Sequence, residues 1–393
     1  MDDLFQEYDS QGENEDDIPD LVSDNFSNVA ISGTDWTAET IITQIDKGNI
    51  FLNPSFQRRD AWDLKRKSKF IESLVLGLPV PQIVLAESKE NRGQYLVLDG
   101  KQRLLSIRQF SASKTDSNYV QLSLKSLEIR PDLNGQNFIS LKESPRYSRE
   151  LSAFENQPIR TVVIKNWPSE DFLYHVFLRL NTGSVPLSPQ ELRQALHPGP
   201  FVDCIDISSC QSTALSEILK LNKPDFRMRD AELLLRYIAF KNYLKLYSGS
   251  LKSFLDQACE RLNNEWPKKE GLIRGQIIEL ERAHTLIKGI FGENSYHKWN
   301  GKKYENRFNR AIFDILILAF TLEPYVSVAT QKTAEVEKAF RTLCEDPVFL
   351  TSIESTTKSL DATVTRISKW FDVLNKVYGL NVPLPKLVDS RIV

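Results

Sequence analysis

The stretch Tyr95-Leu96-Val97-Leu98-Asp99-Gly100-Lys101-Gln102-Arg103-Leu104-Leu105-Ser106-Ile107-Arg108-Gln109-Phe110 decides how this chain is read. Its first four residues form a short apolar run of strand character. After Arg103 the apolar residues return at helical spacing. A carboxylate, a glycine, a lysine and an arginine therefore fall where a strand ends and a helix begins. Such a junction offers free backbone N–H groups and the positive end of a helix dipole, and both favour phosphates and other anions. This is the candidate site for a nucleotide or nucleic acid.

Working outward, Ile83-Val84-Leu85 reads as a second strand and Thr161-Val162-Val163-Ile164 as a buried one. Residues 64–77 carry Leu64, Phe70, Ile71, Leu74 and Val75 at helical spacing, with Gly77 as the stop. Ile50-Phe51-Leu52 reads as extended. Ser188-Pro189-Gln190-Glu191 supplies a cap residue, a first-turn proline and a carboxylate three places after the cap, which is a strong helix start. Beyond residue 200 strand signal nearly vanishes. Helical periodicity covers 227–247, 251–264, 272–290, 306–322, 332–345 and 355–378, with breaks expected near Pro224, Pro267, residues 292–301, Pro324 and Pro347. The expected fold class is α+β: an acidic, disordered leader (1–35), a mixed α/β domain (36–200) and an all-helical domain (201–393). Order is expected to begin near Trp36.

The formal net charge of -2 hides an asymmetry. Residues 1–46 hold 13 Asp plus Glu and no Lys or Arg, so the remainder has 50 basic against 52 - 13 = 39 acidic side chains. A basic body suits an anionic partner such as a nucleic acid, and equally describes a surface of mixed, solvated charge. No apolar run approaches the roughly 20 residues that cross a bilayer, and the acidic start lacks the features of a signal peptide. With Cys204, Cys210, Cys259 and Cys344 dispersed, reduced thiols and a cytoplasmic location are expected.

There is no P-loop, no G-x-G-x-x-G, no H-E-x-x-H and no calcium loop. His175, His197, His284 and His297 fall in separate expected elements, which argues against a zinc site or a His-Asn-His nuclease. Two further segments stand beside the Asp99 junction. Phe56-Gln57-Arg58-Arg59-Asp60-Ala61-Trp62 sets guanidiniums and an amide between aromatic residues, a pattern suited to phosphate binding and base stacking. Alone, it equally describes a surface loop pinned by two aromatics. Arg179-Leu180-Asn181-Thr182-Gly183, taken alone, is a helix C-cap.

Order and spacing change that reading. Gln57, Arg58 and Trp62, the helix 64–77, Gly77-Leu78-Pro79-Val80-Pro81, the Asp99–Arg103 junction, and Arg179–Gly183 followed by Leu187–Arg193 together resemble the N-terminal domain of GmrSD-type restriction endonucleases. The resemblance implies a ParB/sulfiredoxin-like fold over about residues 36–200. It also implies nucleoside triphosphate binding and hydrolysis in a bacterial restriction or anti-phage system. By the resemblance, Asp99 and Arg103 are catalytic, with Asp99 orienting Mg²⁺ or the attacking water. Gln57, Arg58, Gly100, Lys101, Gln102, Arg103 and Asn181 then hold the nucleotide. The family motif reads Asp-Gly-Gln-Gln-Arg, so Lys101 is a departure. It either tightens phosphate contact or fills space meant for a metal ion or water, which bears on turnover more than on binding. The implied partners are DNA and a separate nuclease or defence protein, with homo-oligomer formation left open. The competing reading is a DNA- or partner-binding regulator with an inactive pocket. A nuclease using Asp99 and Asp60 ranks last, because no compact carboxylate cluster supports two metals.

Overall fold

The computed structural model describes residues 28–52, 59–180, 188–355 and 357–393. Gln57, Arg58 and Asn181, and the leader up to residue 27, lie outside the described residues. The chain divides into two compact units. One runs to Leu196 and also takes in Asp225–Met228; the other comprises His197–Pro224 and Arg229–Val393. Among the described residues, no helix is long and apolar enough to cross a membrane. All four cysteines are free thiols.

The first unit is α+β. Its elements are β1 (Ala30–Thr37), α1 (Ala38–Asp46), α2 (Leu64–Val75), β2 (Ile83–Glu87), β3 (Tyr95–Asp99), α3 (Lys101–Ser111), α4 (Phe138–Glu143), α5 (Ser148–Asn156), β4 (Pro158–Lys165), α6 (Glu170–Leu180) and α7 (Pro189–Leu196). The four strands lie in the order β1-β4-β2-β3. β2 runs parallel to β4 and antiparallel to β3, and β1 pairs antiparallel with β4 from Ala30↔Lys165 to Thr37↔Pro158. Strand structure thus begins at Ala30, ahead of the expected onset near Trp36. β1 is a solvent-exposed edge strand, so it carries no apolar alternation to betray it. Ile50 makes an isolated bridge to Tyr95 and extends the edge beside β3.

α3 supplies the centre of this unit's core, with Leu104, Leu105, Ile107 and Phe110 fully buried. Phe110, Phe138 and Phe154 meet edge to face, with centroids 5.0 to 6.3 Å apart. These rings join α3 to α4 and α5, in the region where sequence periodicity is weakest. Asp63 caps α2 through the Arg66 N–H at 2.7 Å.

The second unit consists mainly of helices. It contains α8 (Pro200–Gln211), α9 (Thr213–Ile218), α10 (Arg229–Tyr243), α11 (Leu251–Phe291), α12 (Arg310–Phe320), α13 (Glu323–Val326), α14 (Thr333–Cys344), α15 (Pro347–Glu354) and α16 (Leu360–Tyr378). Every residue of α12 is buried, and its Asp314 takes two hydrogen bonds from the Arg236 guanidinium of α10.

Two expectations fail here. The unit is not all-helical: β5 (His297–Trp299) and β6 (Tyr304–Phe308) form a hairpin, and a second short pair joins Leu387–Val388 to Arg391–Ile392. Asn300-Gly301 is the hairpin signal, with Gly301 at φ 87° and the Asn300 side chain accepting from the Lys302 and Lys303 N–H groups. Strands this short leave too few residues to show a period. The helix also does not break at Pro267, because α11 is continuous over 41 residues. An interior proline costs roughly 3 kcal/mol against alanine. Burial of Leu262, Trp266 and Ile273 on both sides of it holds the helix together. Nearby Asn263 accepts from the Phe201 N–H at 3.0 Å and donates to the His197 carbonyl at 3.1 Å. Pro267→Ala should therefore stabilise the protein by about 1–3 kcal/mol in urea denaturation. A neutral or destabilising result would mean the proline is required by its surroundings.

Candidate functional site

The Asp99 junction forms as the sequence predicts. Asp99 is the last residue of β3, Gly100 is the N-cap of α3 at φ 98°, and α3 begins at Lys101. Only a residue without a Cβ adopts this left-handed turn at little cost. A Cβ at Gly100 would lie 3.1 Å from Ile83 Cγ1 and 3.3 Å from Arg103 Nη2.

The motif side chains reach toward different segments. Asp99 Oδ1 accepts from the Gly100 N–H at 2.7 Å, and Oδ2 accepts from Arg103 Nη2 at 2.8 Å. The same Arg103 nitrogen donates to the Gln82 carbonyl at 2.8 Å, tying the turn to the chain entering β2. Gln102 Oε1 accepts from the Trp62 N–H at 3.3 Å, holding the segment before α2. Lys101 Nζ donates to Glu191 Oε1 at 2.5 Å, and both side chains are buried. Glu191 also closes the capping box read from the sequence: its Oε2 accepts from the Ser188 N–H at 2.7 Å, while Ser188 Oγ accepts from the Glu191 N–H at 3.1 Å. One carboxylate therefore starts α7 and neutralises the motif lysine.

Beside the turn lies a recess of about 320 Å³. The motif residues Asp99 to Arg103 form one side, and Arg66, Lys69, Phe70 and Ser73 of α2 form another. Trp62, Pro81, Glu191 and Phe226 complete the apolar and polar walls. Trp62 is held edge to face against Phe70 at 5.6 Å, and the Arg66 guanidinium lies 4.8 Å from the Trp62 ring centroid. Phe226 is positioned by the Asp225–Met228 segment, whose Asp225 carbonyl accepts from Arg59 Nη1 at 2.8 Å.

Asp99, Gly100, Lys101, Gln102 and Arg103 thus line one cavity, together with Trp62. Gln57, Arg58 and Asn181 fall outside the described residues. The sequence reading did not single out Glu191, Arg66, Lys69 or Phe226 for the site. Glu191 carried a visible signal, but as a cap. Phe226 arrives from distant sequence and carried none.

Two features of this geometry bear on the chemistry of the site. Lys101 and Arg103 do not stand as open phosphate ligands, since each faces a carboxylate at hydrogen-bond distance. The residues also fit a protein-held Mg²⁺ poorly. Among the described residues, the lining carboxylates are Asp99 and Glu191, and each is already answered by a cation. Asp60, the other acid considered for metal-dependent cleavage, is ion-paired with Lys67, whose ammonium also donates to Gln109 Oε1 at 2.6 Å. Burial pulls the Lys67 ammonium down to about 8.

Residues 38–198 match the model of the family described as GmrSD restriction endonuclease, N-terminal domain. This part of the chain is a GmrSD N-terminal domain. The match covers all the motif segments from α1 to α7, with the recess wall at Phe226 lying beyond it. No curated protein matches the chain.

Two substitutions test how the GmrSD domain holds its turn. Gly100→Ala should lower stability by about 1–3 kcal/mol in urea denaturation, from backbone strain and the close Ile83 contact. An unchanged midpoint would contradict the left-handed turn. Lys101→Met should cost about 3–5 kcal/mol, because it strands a buried carboxylate. Adding Glu191→Gln should recover much of that loss, since an amide oxygen can still accept from Ser188. A double variant no more stable than Lys101→Met would show that the pair is not an energetic unit.

Proposed function

We propose that the GmrSD N-terminal domain of this chain is a nucleotide-binding module in a bacterial restriction or anti-phage system, and that it acts in association with DNA. The observation that carries this reading is the recess built directly on Asp99–Arg103, with Trp62 and Phe226 in its walls. Concave sites that combine apolar walls with a few fixed polar groups are the usual form of a small-molecule site. DNA association is supported by the kind of enzyme for which the domain is named and by the surplus of basic residues outside the acidic leader. A separate nuclease partner is part of the proposal.

Within this reading the geometry favours binding over turnover. Asp99 is engaged by Gly100 and Arg103, so it is poorly placed to activate water. Magnesium would come as the counter-ion of the triphosphate, not as an ion held by Asp99 and Glu191. A nucleotide-responsive switch with slow or absent hydrolysis fits these contacts better than an efficient triphosphatase.

Calorimetric titration of the purified chain with ATP, GTP, CTP and UTP, with and without duplex DNA, tests the proposal. At least one triphosphate should bind at one equivalent, and DNA affinity should fall steeply between 50 and 200 mM salt, as phosphate contacts require. Phosphate release measured on the same samples should be far slower than nucleotide exchange. Absence of heat with every triphosphate, with or without DNA, would overturn nucleotide binding.

A further inference from the structure

We propose that the recess takes the base of a nucleotide, and that the phosphates lie outward over α2 at Arg66. This rests on the nucleotide-binding reading above and assigns the orientation of that ligand. It is the reverse of what a glycine turn at a helix N-terminus first suggests.

Electrostatic compensation carries the inference. Four cations line the recess: Arg66, Lys69, Lys101 and Arg103. Lys101 is paired with Glu191 at 2.5 Å and Arg103 with Asp99 at 2.8 Å. Both pairs are largely withdrawn from solvent. Lys69 is paired with Glu128 at 2.9 Å. Among the described residues, Arg66 is the lining cation with no carboxylate at ion-pair distance. Its backbone N–H is held by Asp63 at 2.7 Å, so the residue is fixed in the first turn of α2 while its side chain is exposed.

The helix dipole points the same way. An anion at the N-terminus of α3 would be favourable, but that place is taken by the chain's own Asp99 carboxylate, which accepts the Gly100 N–H. A triphosphate pushed into the turn would meet two carboxylates, Asp99 and Glu191, whose partner cations are already committed. A planar heteroaromatic ring meets no such penalty. Trp62, Phe70 and Phe226 offer it apolar and stacking surface, and Ser73 and Gln102 are polar groups among the lining residues. Placed there, the base leaves its sugar and phosphates nearest the open side, where the Arg66 guanidinium lies over the Trp62 ring. A guanidinium at that position suits bidentate phosphate contact.

The test uses the full chain and the quenching of Trp62 emission, with Trp62→Phe providing the background from the other tryptophans. The probes are the four nucleoside triphosphates, the four matching nucleosides and inorganic triphosphate. One nucleoside should quench Trp62 and displace its own triphosphate competitively, while inorganic triphosphate should displace it poorly. Arg66→Ala, an exposed substitution that should fold normally, should weaken the triphosphate by roughly tenfold or more and leave the nucleoside unchanged. Competition by inorganic triphosphate with inert nucleosides, or an Arg66→Ala variant of unchanged triphosphate affinity, would overturn the orientation and leave nucleotide binding standing. Failure of every probe to bind would remove both.

Discussion

The turn after β3 gathers four charged side chains around one glycine, and in a buried setting each must be answered within the protein. Isolated buried charge is costly enough that removing one partner typically destabilises by about 3–5 kcal/mol. Here the answer comes in two pairs. Asp99 and Arg103 close on each other across the first turn of α3, and Lys101 closes on Glu191 of α7. The pairs do more than neutralise. Arg103 also holds Gln82 before β2, and Glu191 also caps α7 through Ser188. Satisfying the charges therefore fixes the positions of β2, α3 and α7 together, and the recess is the space these constraints leave.

Much of this was legible where a single segment carries its own physics. Tyr95-Leu96-Val97-Leu98 gives way to helical spacing at Leu104, and a glycine stands at the change. Ser188 and Glu191 sit at capping-box spacing, and the box is present. What local pattern could not show was which distant groups meet. Glu191 reads as a complete cap, so nothing in its neighbourhood announces that its other oxygen holds Lys101. Phe226 lies well outside the motif segments and still forms a wall of the recess. β1 was illegible for a different reason. As an exposed edge strand with Ser32, Gly33, Thr34 and Asp35 at its centre, it has no core face to pattern.

The helical unit shows how tertiary contacts override local rules. Pro267 is a helix breaker by any local criterion, yet α11 passes through it. Buried Leu262, Trp266 and Ile273 on either side, with Asn263 bonded to Phe201 and His197, outweigh one lost backbone hydrogen bond. The Asn300-Gly301 hairpin is the opposite case. There a strong local signal sits inside a stretch whose turn formers otherwise mark a break between helices.

The motif lysine is best understood through its partner. The resemblance read from the sequence implies a family motif with glutamine where this chain has Lys101. An amide there could donate a hydrogen bond to the Glu191 carboxylate but could not neutralise its charge. In this chain the lysine does both, and its ammonium is spent on that task. The departure thus moves positive charge away from any ligand instead of toward it. With Arg103 equally committed to Asp99, the motif becomes a neutral, braced wall. A wall of that kind can read the shape and hydrogen-bonding edge of a ring, whereas electrophilic work on a phosphate needs cations that are still uncommitted.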